Sequence, residues 1–273
     1  MTGAELVLPR RGSRRALATI SAVLFLTFLD TTIMAVALAD VQSSLHAGVS
    51  SLQWVVNGYA LVFAGLMLAA GTLGDRMGRK RVMLAGVAVF TAGSAFGAVA
   101  TNTDMLIAAR AIMGIGAAAC APGTLSIIRH LYPDRASRAR ALGVWAAISG
   151  LALAMGPVIG GVLVGLGGWR AVFWFNLGAG ALALAAAHAT VPESADPQSA
   201  RFDFAGFLLG PVVLGTVIDG MFGVASTVMV SLVLRRFTRT VPAGYDVGRT
   251  GSVWLEFAVL KTTHTSSLLN VRE

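Results

Sequence analysis

Charge is scarce in this chain. Asp, Glu, Lys and Arg make up 12% of its 273 residues, about half the share of an ordinary soluble domain, while 56% are hydrophobic. That combination excludes intrinsic disorder, which needs high charge and low hydrophobicity. It also argues against a soluble enzyme, because one small core cannot hide so much apolar surface. Cysteine is nearly absent. Cys120 alone excludes a disulfide within the chain and a Cys-based zinc site. The four histidines (His46, His130, His188, His264) are scattered, and none stands at metal-ligand spacing from another or from Cys120. No Walker-type phosphate loop is present, so direct driving by ATP is not expected. No catalytic constellation, cofactor or metal site is expected. Cys120 and His188 read as packing residues of apolar helices.

What the chain has instead is length without charge. A bilayer core of about 30 Å takes roughly 20 apolar residues per helix. Segments 41–74, 82–103, 111–128, 141–169 and 171–192 contain no charged residue, and 17–39 contains only Asp30. They predict six spans, near 17–39, 53–73, 82–101, 105–128, 141–165 and 170–190. The first has a basic lead like a signal peptide, but its apolar run is about twice as long and holds an Asp, so it is read as a retained helix. A further apolar stretch, 204–234, is interrupted by Asp219. The expected fold is all-α: a polytopic membrane protein with six helices and a partial seventh span. Its parts are a basic arm at 1–16, a bundle at 17–190, a polar linker at 191–203, the apolar segment at 204–234 and an irregular tail at 235–273.

Basic residues alternate with the spans. Four Arg precede the first, Arg76, Arg79, Lys80 and Arg81 follow the second, and Arg129, Arg135, Arg138 and Arg140 follow the fourth, while the intervening connections 41–53 and 101–104 have none. Under the positive-inside rule the N-terminus is cytoplasmic in the inner (plasma) membrane. The net charge of +8 is thus largely a topology signal, and nucleic acid is not expected as a partner because no basic face is clustered.

Ionisable groups in hydrocarbon are costly and usually functional. Asp30 and Arg110 are the two that lie clearly inside the six spans. Asp30 stands about 20 Å from the inner edge of the first span, and Arg110 roughly 8 Å below the outer edge of the fourth. Both fall in the outer half, close enough in depth to pair or share a polar cavity. The competing reading has Arg110 reach the outer interface and pair with Asp104. The fifth span is rich in glycine. Gly143, Gly150 and Gly161 with Gly165 offer seams for close helix contact, and Pro157 removes a backbone donor. Between spans two and three, Gly71, Gly74, Asp75, Arg76, Gly78, Arg79 and Lys80 form a tight basic turn facing the anionic leaflet.

At these residues the chain resembles the major facilitator superfamily, and within it the drug:proton antiporters of the fourteen-span branch. Residues 71–84 resemble the loop motif G-x-L-a-D-r-x-G-r-k-x-x-l. Residues 29–38 resemble the first-span motif L-D-x-T-x-v-N-v-A-L-P, with Ala35 at the usual Asn and Ala39 at the usual Pro. Residues 110–118 resemble the fourth-span motif R-x-x-Q-G-x-G-a-a, with Met113 at the usual Gln. Gly150, Gly156, Pro157, Gly160 and Gly161 resemble the antiporter motif of span five, and Trp169, Arg170, Phe173 and Asn176 the start of span six.

The resemblance implies a rocker-switch transporter of two six-helix bundles in the lipid bilayer, exchanging protons for a small amphipathic or cationic substrate. It implies that Asp30 faces the cavity or supports its polar network and that Arg110 takes part in proton coupling. Met113 then stands at a cavity position that has lost its polar contact. Asp75 and Arg79 are implied to form the cytoplasmic latch. Gly156 and Pro157 are implied to shape the antiporter helix. A carboxyl group in a low-dielectric site favours its neutral form, which suits proton exchange near neutral pH. The resemblance is expected to stop after about Gly223, at about half the length of a complete transporter. The expectation is a truncated or frame-shifted product, or a half-size protein that pairs with a second copy or a missing C-terminal half. A membrane scaffold or regulator of a full-length transporter, and metabolite uptake within the same superfamily, are the alternatives.

Overall fold

The computed structural model describes residues 11–194. The expected segments at 204–234 and 235–273, and most of the linker and the N-terminal arm, lie outside the described residues. Six α-helices follow one another: α1 (Arg11–Leu45), α2 (Val49–Met77), α3 (Arg79–Ala98), α4 (Thr103–Leu131), α5 (Arg135–Gly167) and α6 (Trp169–Thr190). All six are long and apolar enough to cross a membrane. Five of the six expected spans lie within one helix each; the third, 82–101, runs past the end of α3 at Ala98. Helices α1, α2 and α5 extend several residues beyond their expected spans. The added turns are polar, so they continue the helix past the apolar stretch rather than lengthen it.

Short connections break the helices at residues suited to it. Asn102 caps α4 by accepting from the Met105 amide at 2.8 Å, and Asp134 caps α5 by accepting from the Ser137 amide at 2.8 Å. Those bonds from Ser137 hold the Asp134 carboxyl below the usual carboxylate range. The α5–α6 junction turns at Gly168, with φ 68°. There Asp40, near the end of α1, accepts from the Trp169 amide at 2.6 Å and so closes the start of α6. Arg170 stacks on Trp169 at 4.2 Å and donates to the Ala100 carbonyl at 2.8 Å, tying α6 to the α3–α4 connection.

Packing is uneven. Helix α4 lies against α2 and α3, α1 against α5 and α6, and α3 against α6. Of the most apolar stretch of each helix, 61% is buried in α4 but 17% in α2 and in α5. These two helices therefore carry large apolar side chains outward, among them Trp54, Leu151, Val158, Val162 and Leu166.

Candidate functional site

Asp30 and Arg110 meet in the middle of the bundle. The Arg110 Nη1 donates to Asp30 Oδ2 at 2.5 Å, and the two side chains are 1% and 0% exposed. Arg110 Nε donates to the Val55 carbonyl at 3.1 Å, and its guanidinium lies 4.5 Å from the Tyr59 ring centre. The Tyr59 hydroxyl donates to the Thr27 carbonyl at 2.9 Å, and its ring stacks on Phe63. Asn176 Nδ2 completes the set by donating to Asp30 Oδ1 at 2.7 Å. Four helices thus contribute one residue each: Asp30 from α1, Tyr59 from α2, Arg110 from α4 and Asn176 from α6, all fully buried.

The depth argument from the sequence matches this meeting, and Asp104 is not the partner of Arg110. The same arithmetic reaches Asn176. It lies seven residues into α6, about 10 Å from the helix start, at the level of Arg110. Tyr59 carried no comparable signal, because an aromatic residue in an apolar helix is ordinary packing.

A buried pair of this kind is electrostatically tight but conditional. Removing one partner leaves an uncompensated charge in apolar surroundings, at a cost of about 3–5 kcal/mol. Protonating Asp30 has a similar consequence for Arg110. The pair is thus a charge centre on which the contact between α1 and α4 depends. An apolar groove between α3 and α6, lined by Leu84, Ala88, Leu184 and His188 among others, shares no residue with it. Among the described residues no group of His, Cys, Asp and Glu could hold a metal.

Met113 departs from the expected cavity position. It is fully buried and packs into the space that a side chain on Gly93 would fill, so it belongs to the α3–α4 seam. A thioether has no donor and only a weak acceptor, which suits that apolar place. Within α5 the glycines divide into two stripes. Gly156 and Gly160 are buried against α1. A side-chain carbon at Gly156 would overlap the Thr32 hydroxyl, and one at Gly160 would meet Ile33. Gly150, Gly161, Gly143 and Gly165 meet nothing within 4 Å. The seams expected at these four are not formed among the described residues. Pro157 is exposed, and α5 runs through it unbroken.

At the opposite end of the bundle from Asp40, the loop residues also come together. Asp75 Oδ1 accepts from Arg79 Nε and Nη2, both at 2.8 Å, across the α2–α3 turn. Gly78 makes the turn at φ 105°, a region open to glycine. A side chain there would also strike the Glu193 carboxylate. Glu193 accepts from the Lys80 amide at 3.1 Å and lies 3.6 Å from Arg81 Nε. Lys80 Nζ donates to the His188 carbonyl, and the Arg79 amide to the Ser194 carbonyl, each at 2.8 Å. The turn is thus clamped to the end of α6. Gly71 lies against Pro122 of α4, Gly74 near Arg79, and Arg76 is exposed. Tyr132 donates to the Ser13 carbonyl at 3.2 Å, and burial pushes its phenol up. Sequence reasoning placed Glu193 in a linker and gave it no partner.

Comparison with known proteins agrees with this architecture. The Major Facilitator Superfamily model matches residues 20–260, which corrects the expectation that the resemblance stops after about Gly223. The methylenomycin A resistance protein of Bacillus subtilis is 45% identical over 187 residues, covering 68% of this chain and 40% of that protein. The multidrug resistance protein Stp of Mycobacterium tuberculosis is 41% identical over 195 residues, covering 71% and 36%. The chain thus spans well under half the length of these curated relatives. Among solved structures, an inward-facing, unoccupied bacterial homologue of the human lysosomal transporter Spinster superposes with a TM-score of 0.57 at 23% identity, covering 70% of this chain and 46% of that one. With six helices long and apolar enough to cross a membrane among the described residues, the shared fold and a family match over most of its length, this chain belongs to the Major Facilitator Superfamily.

Proposed function

We propose that this six-helix bundle is the N-terminal half of a proton-coupled drug exporter in the plasma membrane, with its N-terminus cytoplasmic. The observation that carries the reading is the buried Asp30–Arg110 pair with Asn176 and Tyr59 around it. The resistance functions for which the relatives are named support the class of cargo. The alternating basic loops support the orientation.

In this reading a proton from outside neutralises Asp30, frees Arg110 from its partner and shifts α1 against α4. A cationic or amphipathic substrate favours the deprotonated state, so that exchange needs no covalent chemistry. Each elementary charge that moves through 100 mV contributes about 2.3 kcal/mol. The basic end works as the latch: the Asp75–Arg79 pair and Glu193 hold the α2–α3 turn to the end of α6 in one gating state. A second bundle completes the cavity, supplied by a C-terminal half or a second copy. The outward stripe of Gly143, Gly150, Gly161 and Gly165 on α5 offers it a close-packing face.

The test is pH-driven uptake of a cationic dye into inverted vesicles from cells expressing the chain, together with drug sensitivity of those cells. Uptake that collapses with the proton gradient and is lost in Asp30→Asn is the expected result. Uptake unchanged in that variant would sink the coupling role. A chain that inserts, moves no dye and alters a co-expressed full-length transporter would be a regulator instead.

A further inference from the structure

Asn176 carries an unexplained feature. Its Nδ2 donates to Asp30 Oδ1 at 2.7 Å, but its own Oδ1 is fully buried and has no hydrogen-bond partner among the described residues. A buried orphan acceptor is costly and calls for a reason. The reason lies in what Asp30 needs when its charge changes. As a carboxylate it accepts from Arg110 on one oxygen and from Asn176 on the other. As an acid it acquires an O–H that must donate. Arg110 has donors only. The Tyr59 hydroxyl is committed to the Thr27 carbonyl. Of the two side chains hydrogen-bonded to Asp30, only Asn176 has an acceptor.

We propose that Asn176 is a two-way positioning residue for Asp30, donating from Nδ2 to the carboxylate and, after a half-turn of its amide, accepting on Oδ1 from the acid. The amide torsion is soft and roughly two-fold, so the turn exchanges donor and acceptor without moving α6. The proton enters as a proton and stays on Asp30; nothing else is bonded or broken. Other groups do not confuse the assignment. The titratable side chains facing Asp30 are Arg110 from α4 and Tyr59 from α2. Helices α3 and α5 carry ionisable residues only in their opening turns, and those of α6, Arg170 and His188, stand near its two ends. The orphan oxygen is thus the acceptor that the half-turn brings to the protonated state. The inference rests on Asp30 being the proton-binding group.

Infrared titration of the full chain in lipid nanodiscs tests it. The carboxylic-acid C=O band of Asp30 is identified by its loss in Asp30→Asn. In Asn176→Leu the charge-assisted bond to the carboxylate disappears, and it is stronger than the neutral bond lost from the acid. The pH midpoint of the band is therefore expected to rise by about one unit, a tenfold change in proton affinity. The band is also expected at higher wavenumber, because the acid has lost its acceptor. If the leucine does not fold, Asn176→Ala carries the same expectations. A band that titrates in the variant as in the wild type, at an unchanged wavenumber, overturns the role of Asn176 and leaves proton binding at Asp30 standing. Absence of any Asp30 band in the wild type between about pH 5 and 9 overturns both.

Discussion

Asp30–Arg110 and Asp75–Arg79 are the same chemical pair in two surroundings. The first joins helices 80 residues apart and is 0% and 1% exposed. The second spans four residues across one turn and is 31% and 19% exposed. Water screens the second, so its direct contribution to stability is small. The first is held in place by the whole bundle, and either partner alone is a liability. Placement, not chemistry, makes one pair a charge centre and the other a clasp.

Breaking the buried pair gives the largest effect. Arg110→Ala leaves the buried Asp30 without its charged partner, with an expected loss of about 3–5 kcal/mol. It is read as a collapse of the thermal unfolding midpoint in detergent. The double variant Asp30→Leu with Arg110→Met removes both charges and is expected to unfold near the wild type, since apolar replacement of a buried pair is often neutral. It should nevertheless show no proton-coupled transport. A double variant as unstable as Arg110→Ala would mean that the pair holds the fold rather than the charge.

The comparison is sharpened by moving α1 without touching a charge. Gly156→Val drives a branched side chain into Thr32, next to Asp30 on α1. Overpacking of this kind costs about 1–3 kcal/mol and should displace the Asp30 carboxylate from Arg110. Gly150→Ala is the control, because a methyl there meets nothing within 4 Å, and the better helix former should hold or slightly raise the unfolding midpoint.

These contrasts also show where the sequence is legible. Charge in an apolar run stands out, and the fixed helical rise turns residue number into depth, so the Asp30–Arg110 meeting can be anticipated. Azimuth is harder. At about 100° per residue, Gly143, Gly150, Gly161 and Gly165 fall on one side of α5, with Gly156 and Gly160 roughly opposite. The spacing reveals two stripes but not which one faces α1. The polar network was half hidden: Asn176 stood in the span-six resemblance, but Tyr59 is an ordinary residue made special by neighbours from other helices. Glu193 was hidden entirely. Its position depends on α6 returning beside α3, a tertiary fact that no local pattern records.

The smallest expected effect is at the exposed clasp. Asp75→Asn removes one partner of a partly exposed pair, and stability should fall by less than about 1 kcal/mol, read from the unfolding midpoint. Glu193→Gln should cost no more, because it keeps an acceptor for the Lys80 amide and loses only the 3.6 Å approach to Arg81. The informative measurement is therefore conformational. A spin-label pair bridging the α2–α3 turn and the end of α6 reports whether the clasp is closed. Asp75→Asn is expected to broaden that distance distribution, and added salt should do the same to the wild type, since screening reaches exposed charges. The same salt should leave the buried Asp30–Arg110 pair unaffected. If salt instead shifted the Asp30 titration as strongly as it opened the clasp, water would be reaching both pairs alike, and the division between charge centre and clasp would fail.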